Sequence, residues 1–137
     1  MAILQSSESS SILHKDLTRS IIGCAMQVHS TLKNECQEVI YQRALAIEFQ
    51  LNDLRFERER EMEIYYREKL IGTRRVDFFV ENSIVVEIKA VAKLEDVHLA
   101  QAMNYLEYYK IPMGILLNFG GRSLEFKRVY YNRLNLE

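Results

Sequence analysis

The chain has 137 residues, the usual size of one domain, with 48% hydrophobic and 27% charged residues. Its 18 basic and 19 acidic residues leave a net charge of −1, which argues against tight coating of nucleic acid but allows a local basic groove. Two cysteines and three scattered histidines do not form a zinc-finger ligand set. Because the sequence has no signal-peptide pattern and no long apolar run, we expect a cytoplasmic protein.

The chain is expected to comprise a short tail and one domain. Residues 1–12 are rich in serine and are predicted to be flexible, whereas residues 13–137 are predicted to form a single domain without repeats. Apolar residues at steps of three or four predict a first helix from about Leu17 to Leu32 and a second over residues 36–51. Asn34 is expected to cap the second helix. The apolar stripe of that helix is predicted to comprise Ile40, Ala44, Ile47 and Leu51.

The rest of the chain alternates between the spacing typical of strands and that typical of helices. Strands are predicted near residues 54–66, 76–80, 84–90, 113–119 and 124–131, and a third helix over residues 95–110. The element order α-α-β-β-β-α-β-β predicts an α/β (α+β) fold, in which helices pack on a mixed sheet.

The second and third strands place two carboxylates opposite each other. An antiparallel hairpin centred on Asn82 pairs residues equidistant from it, so Asp77 faces Glu87 with Cβ atoms about 5 Å apart. Lys89 lies two residues after Glu87 and projects from the same face of the sheet. The opposite face, which is expected to pack on a helix, carries Val76, Phe78, Val86 and Ile88.

This arrangement of charges favours metal-dependent chemistry. Two opposed carboxylates repel each other unless a proton or a cation lies between them. Mg²⁺ or Mn²⁺ suits oxygen ligands such as Asp77 and Glu87. Lys89 beside them can orient or deprotonate a water, or stabilise charge on a phosphate, which indicates phosphodiester hydrolysis. The pattern alone is equally compatible with a solvated strand face.

Asp77, Glu87 and Lys89 resemble the PD-(D/E)xK nuclease signature, with Val76 where that signature often has proline. Further motifs follow in the order typical of the GxxExxY family of small PD-(D/E)xK proteins. The matching segments are Ile21-Ile22-Gly23, Val28-His29, Glu38-x2-Tyr41-x2-Ala44-Leu45, Glu87-Ile88-Lys89-Ala90, His98-x2-Gln101-x3-Tyr105-Leu106 and Leu116-Leu117-Asn118-Phe119. The chain departs from the family at Glu35, which replaces the naming glycine.

The resemblance implies a restriction-endonuclease-like core and a role for each matching residue. It implies that Asp77 and Glu87 ligate Mg²⁺ or Mn²⁺, that Lys89 assists catalysis, and that Glu38 is an auxiliary acid, with Gln101 and Tyr105 beside the active site. The implied substrate is nucleic acid, with DNA expected. The candidate phosphate contacts are Arg74, Arg75, Arg122, Lys127 and Arg128.

Other interpretations of the same residues stay open. Glu38 in a first helical turn is favoured by the helix dipole without any function. Gln101 and Tyr105, one turn apart, are placed to hydrogen-bond each other. A catalytically silent module that binds nucleic acid or protein is the alternative to a nuclease, and a homodimer or a subunit of a larger complex is compatible with either.

Overall fold

A computed structural model describes the backbone of residues 2–130 and the side chains of residues 14–130. Its elements are α1 (Ala2–Leu32), α2 (Glu38–Leu51), β1 (Phe56–Tyr66), β2 (Lys69–Val80), β3 (Ile84–Lys89), α3 (Asp96–Tyr109), β4 (Met113–Asn118) and β5 (Glu125–Tyr130). The predicted α+β fold and element order are confirmed. A flexible tail over residues 1–12 and a domain over 13–137 stay predictions. No helix in the described part is long and apolar enough to cross a membrane.

The five strands form one mixed sheet in the order β1-β2-β3-β4-β5. Neighbouring strands are antiparallel except for β3 and β4, which run parallel and are connected through α3. A parallel pair requires such a crossover, because its strands enter the sheet from the same end. The β-branched residues of β3 and the wholly buried β4 form the centre of the sheet, as expected for strands covered on both faces.

Each face of the sheet carries its own apolar cluster. On the two-helix face, α1 and α2 contribute Ile21, Tyr41, Leu45 and Phe49, which join Phe78, Val86, Ile88 and Ile115 of the strands. On the α3 face, Tyr105 and Leu106 of the helix join Val76, Val85, Leu116 and Val129. The functional residues described below lie where α2 and α3 approach the hairpin of β2 and β3.

The predicted apolar stripe of α2 is wrong. Ile40, Ile47 and Leu51 are 39%, 57% and 71% exposed, and Ala44 is only partly buried against the core. The buried positions of the helix are Tyr41, Gln42, Leu45, Ala46 and Phe49. Two stripes compete on this helix, and the one with two aromatic rings is buried because the hydrophobic gain grows with the apolar area removed from water.

The predicted cap of α2 is also wrong. Gln37 occupies the N-cap and makes no side-chain capping bond. Asn34 instead donates from Nδ2 to the carbonyl of Gly120 at 3.3 Å. The loop before α2 is held by Tyr41, whose hydroxyl donates to the Lys33 carbonyl at 2.6 Å and accepts from the Cys36 amide at 3.1 Å.

The predicted register of the β2–β3 hairpin is confirmed, but the ladder ends at Phe78, so the predicted direct pairing of Asp77 with Glu87 is not observed. The paired residues are Phe78 with Val86, Phe79 with Val85 and Val80 with Ile84, centred on Asn82 as expected. Phe78, Val86 and Ile88 do share the two-helix face. Val76 does not, because it packs in the α3 cluster.

The change of face occurs at Asp77. The β1–β2 ladder skips the pair of Glu59 and Asp77, and Glu59 has a left-handed φ of 54°. Asp77 also uses its side chain to accept the amide of Ile88. A side-chain oxygen thus takes the place of a ladder carbonyl, so β2 turns away from β3 and the alternation that would place Val76 beside Phe78 is broken.

Candidate active site

Asp77 lies where β2 separates from β3, and its carboxylate is held from two directions. Oδ2 accepts the backbone amide of Ile88 at 2.7 Å, and Oδ1 accepts Nε2 of Gln42 at 2.9 Å. One donor belongs to β3 and the other to α2. Two fixed donors restrict the rotation of the side chain, so Asp77 presents its carboxylate in a preset orientation at the open end of the hairpin.

Glu87, on β3, is a partly buried carboxyl beside Asp77. Burial, followed by the charge of Asp77 and a side-chain hydrogen bond with it, raises the pKa of Glu87 to about 8. The nearby charges of Arg74 and Lys89 oppose this rise. Its Oε1 atom is buried without a hydrogen-bond partner among the described residues. An unsatisfied buried carboxyl next to a second carboxylate is costly, and a cation between them relieves that cost.

Lys89 and Glu38 complete a cluster of four charged side chains. Burial raises the pKa of Glu38, the charge of Lys89 lowers it, and the charge of Asp77 raises it, which places Glu38 within electrostatic reach of both. Glu38 is the first residue of α2, where the positive end of the helix dipole favours a carboxylate. The structure thus brings Glu38, Asp77, Glu87 and Lys89 together from three elements.

Tyr105 of α3 lies beside Glu87 on the α3 face of the sheet. Its hydroxyl is buried without a partner among the described residues, and burial, then the charge of Glu87, raises its pKa. The guanidinium carbon of Arg74 lies 4.9 Å from the centre of the Tyr105 ring. Arg74, Glu87 and Tyr105 line a cavity of about 10 Å³, roughly the space that one water needs.

Gln101 is not part of this cluster in the structure. It is exposed on α3, and the hydroxyl of Tyr105 bonds to none of the described residues, so the predicted hydrogen bond between the two is absent. His98 has a structural contact, because its Nδ1 accepts the Glu95 amide at 2.9 Å in the capping box of α3.

The candidate phosphate contacts are spread over the surface, and only Arg74 lies beside Glu87. Arg75 forms an exposed ion pair with Glu61 at 3.4 Å. Arg128 borders a separate cavity against α1. Arg122 and Lys127 are exposed.

The chain beyond Lys89 is fixed by the Leu116–Phe119 motif. Asn118 accepts the Val91 amide at 2.9 Å and donates to the Val91 carbonyl at 3.0 Å. A Cβ on Gly120 would lie 2.2 Å from that same carbonyl, so only glycine fits there. The motif therefore supports the end of β3, where the site lies.

The residues present fit a hard divalent cation. Mg²⁺ typically takes one or two protein carboxylates and completes its octahedron with water and phosphate oxygens. Asp77 and Glu87 supply two such groups, and Oε1 of Glu87 has no other partner among the residues described. Among the described side chains, no group of three or more His, Cys, Asp or Glu is placed to hold an ion, so Glu38 lies near Asp77 without joining Asp77 and Glu87 as a third ligand.

Comparisons with known proteins identify the family. The model of the PD-(D/E)XK nuclease superfamily matches residues 15–129. A crystal structure of a protein called SSO0001 is similar in fold, with a TM-score of 0.52 and 24% identity, over 66% of this chain and 48% of that one. This chain therefore matches about half the length of that protein. No curated protein matches the chain. Because the family model covers most of its length, the chain belongs to the PD-(D/E)XK nuclease superfamily.

Proposed function

We propose that this protein is a Mg²⁺-dependent nuclease that hydrolyses phosphodiester bonds of DNA, and that it is a GxxExxY-type member of the superfamily. The observation that carries the proposal is the buried Oε1 atom of Glu87, which has no partner among the described residues and lies in a side chain that touches Asp77. A fold selected only for stability gains nothing from this pair unless the two carboxyls share a proton, whereas a metal site uses both as ligands.

In this proposal Asp77 and Glu87 hold the metal. When bound, Mg²⁺ acts as a Lewis acid on the phosphate and lowers the pKa of a bound water. Lys89 orients the attacking water or stabilises negative charge that develops on the scissile phosphate. Glu38, whose side chain lies near both Asp77 and Lys89, acts as the auxiliary acid that holds water at the site.

Arg74 is the phosphate contact that the geometry favours. It makes no ion pair with any described residue, and its guanidinium lies over the ring of Tyr105 near Glu87. A cation–π contact holds the guanidinium in place without neutralising it, which leaves its donors available to a phosphate. Gln101, exposed one turn before Tyr105, is proposed to contact the substrate.

The net charge of −1 bears on how the protein holds its substrate. Binding to DNA depends on basic groups that neutralise phosphates. We propose that the protein works in the cytoplasm as a homodimer or within a larger complex that supplies the additional basic surface.

The test is cleavage of labelled single- and double-stranded DNA in the presence of Mg²⁺ or Mn²⁺. Lys89→Ala is expected to lower the cleavage rate on the order of 10²–10³-fold, the usual cost of losing a group that stabilises transition-state charge. Its melting temperature should be unchanged, and Mn²⁺ should bind at least as tightly, since a nearby positive charge is gone. Lys69→Ala, which changes an exposed lysine of β2, is the control.

Two results would count against the proposal in different ways. Equal cleavage by wild type and Lys89→Ala would show that Lys89 has no part in the reaction. Absence of metal-dependent cleavage by a folded wild-type protein that still binds nucleic acid or a protein partner would favour the catalytically silent module.

A further inference from the structure

Gln42 is a buried polar side chain on an otherwise apolar helix face. It is 6% exposed, and the other buried residues of α2 are Tyr41, Leu45, Ala46 and Phe49. Burying an amide costs free energy unless its hydrogen bonds are made. Nε2 of Gln42 makes one, but Oε1 has no partner among the described residues. An apolar side chain of the same size would avoid this cost, so stability alone does not account for Gln42.

The other buried polar residues of the described chain each bond to the backbone, and Thr18 and Asn118 also bond the side chains of Met113 and Glu125. Thr18 donates to the His14 carbonyl, His29 bonds the Gly121 carbonyl and Asn118 bonds both backbone groups of Val91. Each of these contacts fixes a helix or a loop. Gln42 differs because its hydrogen-bond partner is a side chain of the candidate active site.

We infer that Gln42 is a positioning residue that sets the orientation of Asp77 for metal binding; this inference depends on the proposed function. Asp77 has two rotatable side-chain bonds, and the Ile88 amide fixes only one oxygen, Oδ2. The Gln42 amide fixes the other, Oδ1, at 2.9 Å. Together the two donors determine the plane of the carboxylate, and therefore the direction of the lone pairs that remain for a cation.

The position of Gln42 on α2 supports this role. It lies one helical turn after Glu38, so both side chains project from the same side of the helix. The charge of Asp77 acts on Glu38, which places that carboxyl near Asp77 as well. One rigid helix thus couples the auxiliary acid to the orientation of a metal ligand.

The neutral charge of Gln42 is also significant. Glu38 and Glu87 both lie within electrostatic reach of Asp77, so the site already holds three carboxyl groups. An amide supplies an N–H donor to Asp77 without adding a fourth acidic group. The residue type therefore matches the need for a donor with no charge.

The experiment measures Mn²⁺ affinity of the full chain by calorimetric titration. Gln42→Met keeps an unbranched side chain of similar size but removes the donor, and Gln42→Leu is a second replacement with a different shape. Both are expected to weaken Mn²⁺ binding 10–100-fold, the usual effect of losing a partner that orients a metal ligand. The melting temperature without metal should stay near that of wild type or rise. Gln50→Met, an exposed change on the same helix, is the control and should bind Mn²⁺ normally.

The outcomes separate this inference from the proposed function. If wild type binds Mn²⁺ and both Gln42 variants bind it equally well, the inference is overturned and the proposed function stands. If wild type binds no Mn²⁺, the proposed function fails. The inference then fails with it, because a coupling between Gln42 and Asp77 in metal-free unfolding would show only a structural contact.

Discussion

The two faces of the sheet differ in how completely their buried groups are satisfied. On the two-helix face, Tyr41 is wholly buried, yet its hydroxyl bonds two backbone groups of the preceding loop. On the α3 face, the buried hydroxyl of Tyr105 and Oε1 of Glu87 have no partner among the described residues, and both side chains line a small cavity. On the two-helix face, the only such atom among the described residues is Oε1 of Gln42, whose Nε2 bonds Asp77, so the unsatisfied groups of both faces lie around the candidate site.

The difference follows from how each face is covered. Two helices close the two-helix face, whereas α3 alone covers the other. The β2–β3 ladder ends at Phe78 and Val86, so Glu87 is not paired with β2. The two faces should therefore respond differently to mutation: one should lose stability, and the other should lose metal binding or activity.

The largest change in stability is expected from the two-helix face. Phe49 is wholly buried, and its ring lies 5.1 Å from that of Phe78 and 5.6 Å from that of Phe56. Phe49→Ala should lower the free energy of unfolding by about 3–5 kcal/mol, because it removes apolar contacts and leaves a cavity. Denaturant unfolding measures this, with the exposed Val97 of α3 changed to Ala as a control that should cost about 0.5 kcal/mol or less.

The same variant tests whether the two faces are independent. The fraction of Phe49→Ala that remains folded should bind Mn²⁺ with unchanged affinity, because Phe49 packs on the rings of Phe56 and Phe78 at the end of α2 opposite to Glu38. A large loss of Mn²⁺ affinity in the folded fraction would mean that the core and the site are coupled, and the contrast between the faces would be withdrawn.

A smaller effect, confined to metal binding, is expected at Asp77. Excess Mn²⁺ should stabilise the wild type by about 2.7 kcal/mol at a hundredfold excess over its dissociation constant, by mass action. Asp77→Asn should abolish most of this gain, because an amide is a weaker ligand and brings an N–H₂ group toward the donors of Gln42 or Ile88. Melting curves with and without Mn²⁺ measure it, beside Asp16→Asn, an exposed change on α1. Equal stabilisation of Asp77→Asn and wild type would remove Asp77 from the metal site.

Much of the fold could be predicted from the apolar periodicity of the sequence, and the predictions that failed have a common cause. The element order and the hairpin register centred on Asn82 were predictable, because turn residues and a two-residue period define them locally. The buried face of α2 was not, because two apolar stripes overlap in its sequence and only the packing partners select between them. The packing of Val76 on the α3 face depends on one side-chain hydrogen bond, in which Asp77 accepts the Ile88 amide. The apolar periodicity of the sequence does not reveal this bond.

The candidate site was predictable to a similar extent. The register brings Asp77 to the end of the ladder beside Glu87, and alternation then places Lys89 near them. The position of Glu38 was indicated only by resemblance to a family, since it comes from a helix distant in sequence. Gln42 was missed altogether. Its only sequence signal is a polar residue one turn after Glu38, and a single glutamine in a helix is not informative without its burial and its partner.

The smallest expected effect contrasts two tyrosines, one from each face. Tyr41→Phe leaves the Lys33 carbonyl and the Cys36 amide without their partner, and should lower the free energy of unfolding by about 1–3 kcal/mol. Tyr105→Phe removes a hydroxyl that has no partner among the described residues, so the metal-free protein should be unchanged or slightly more stable. Its cleavage rate should nevertheless fall, because that hydroxyl lies within electrostatic reach of Glu87. Thermal unfolding and cleavage assays on both variants distinguish the cases. A loss of stability in Tyr105→Phe equal to that in Tyr41→Phe would show that the Tyr105 hydroxyl is hydrogen-bonded like that of Tyr41. The buried polar groups of the α3 face would then not mark a site.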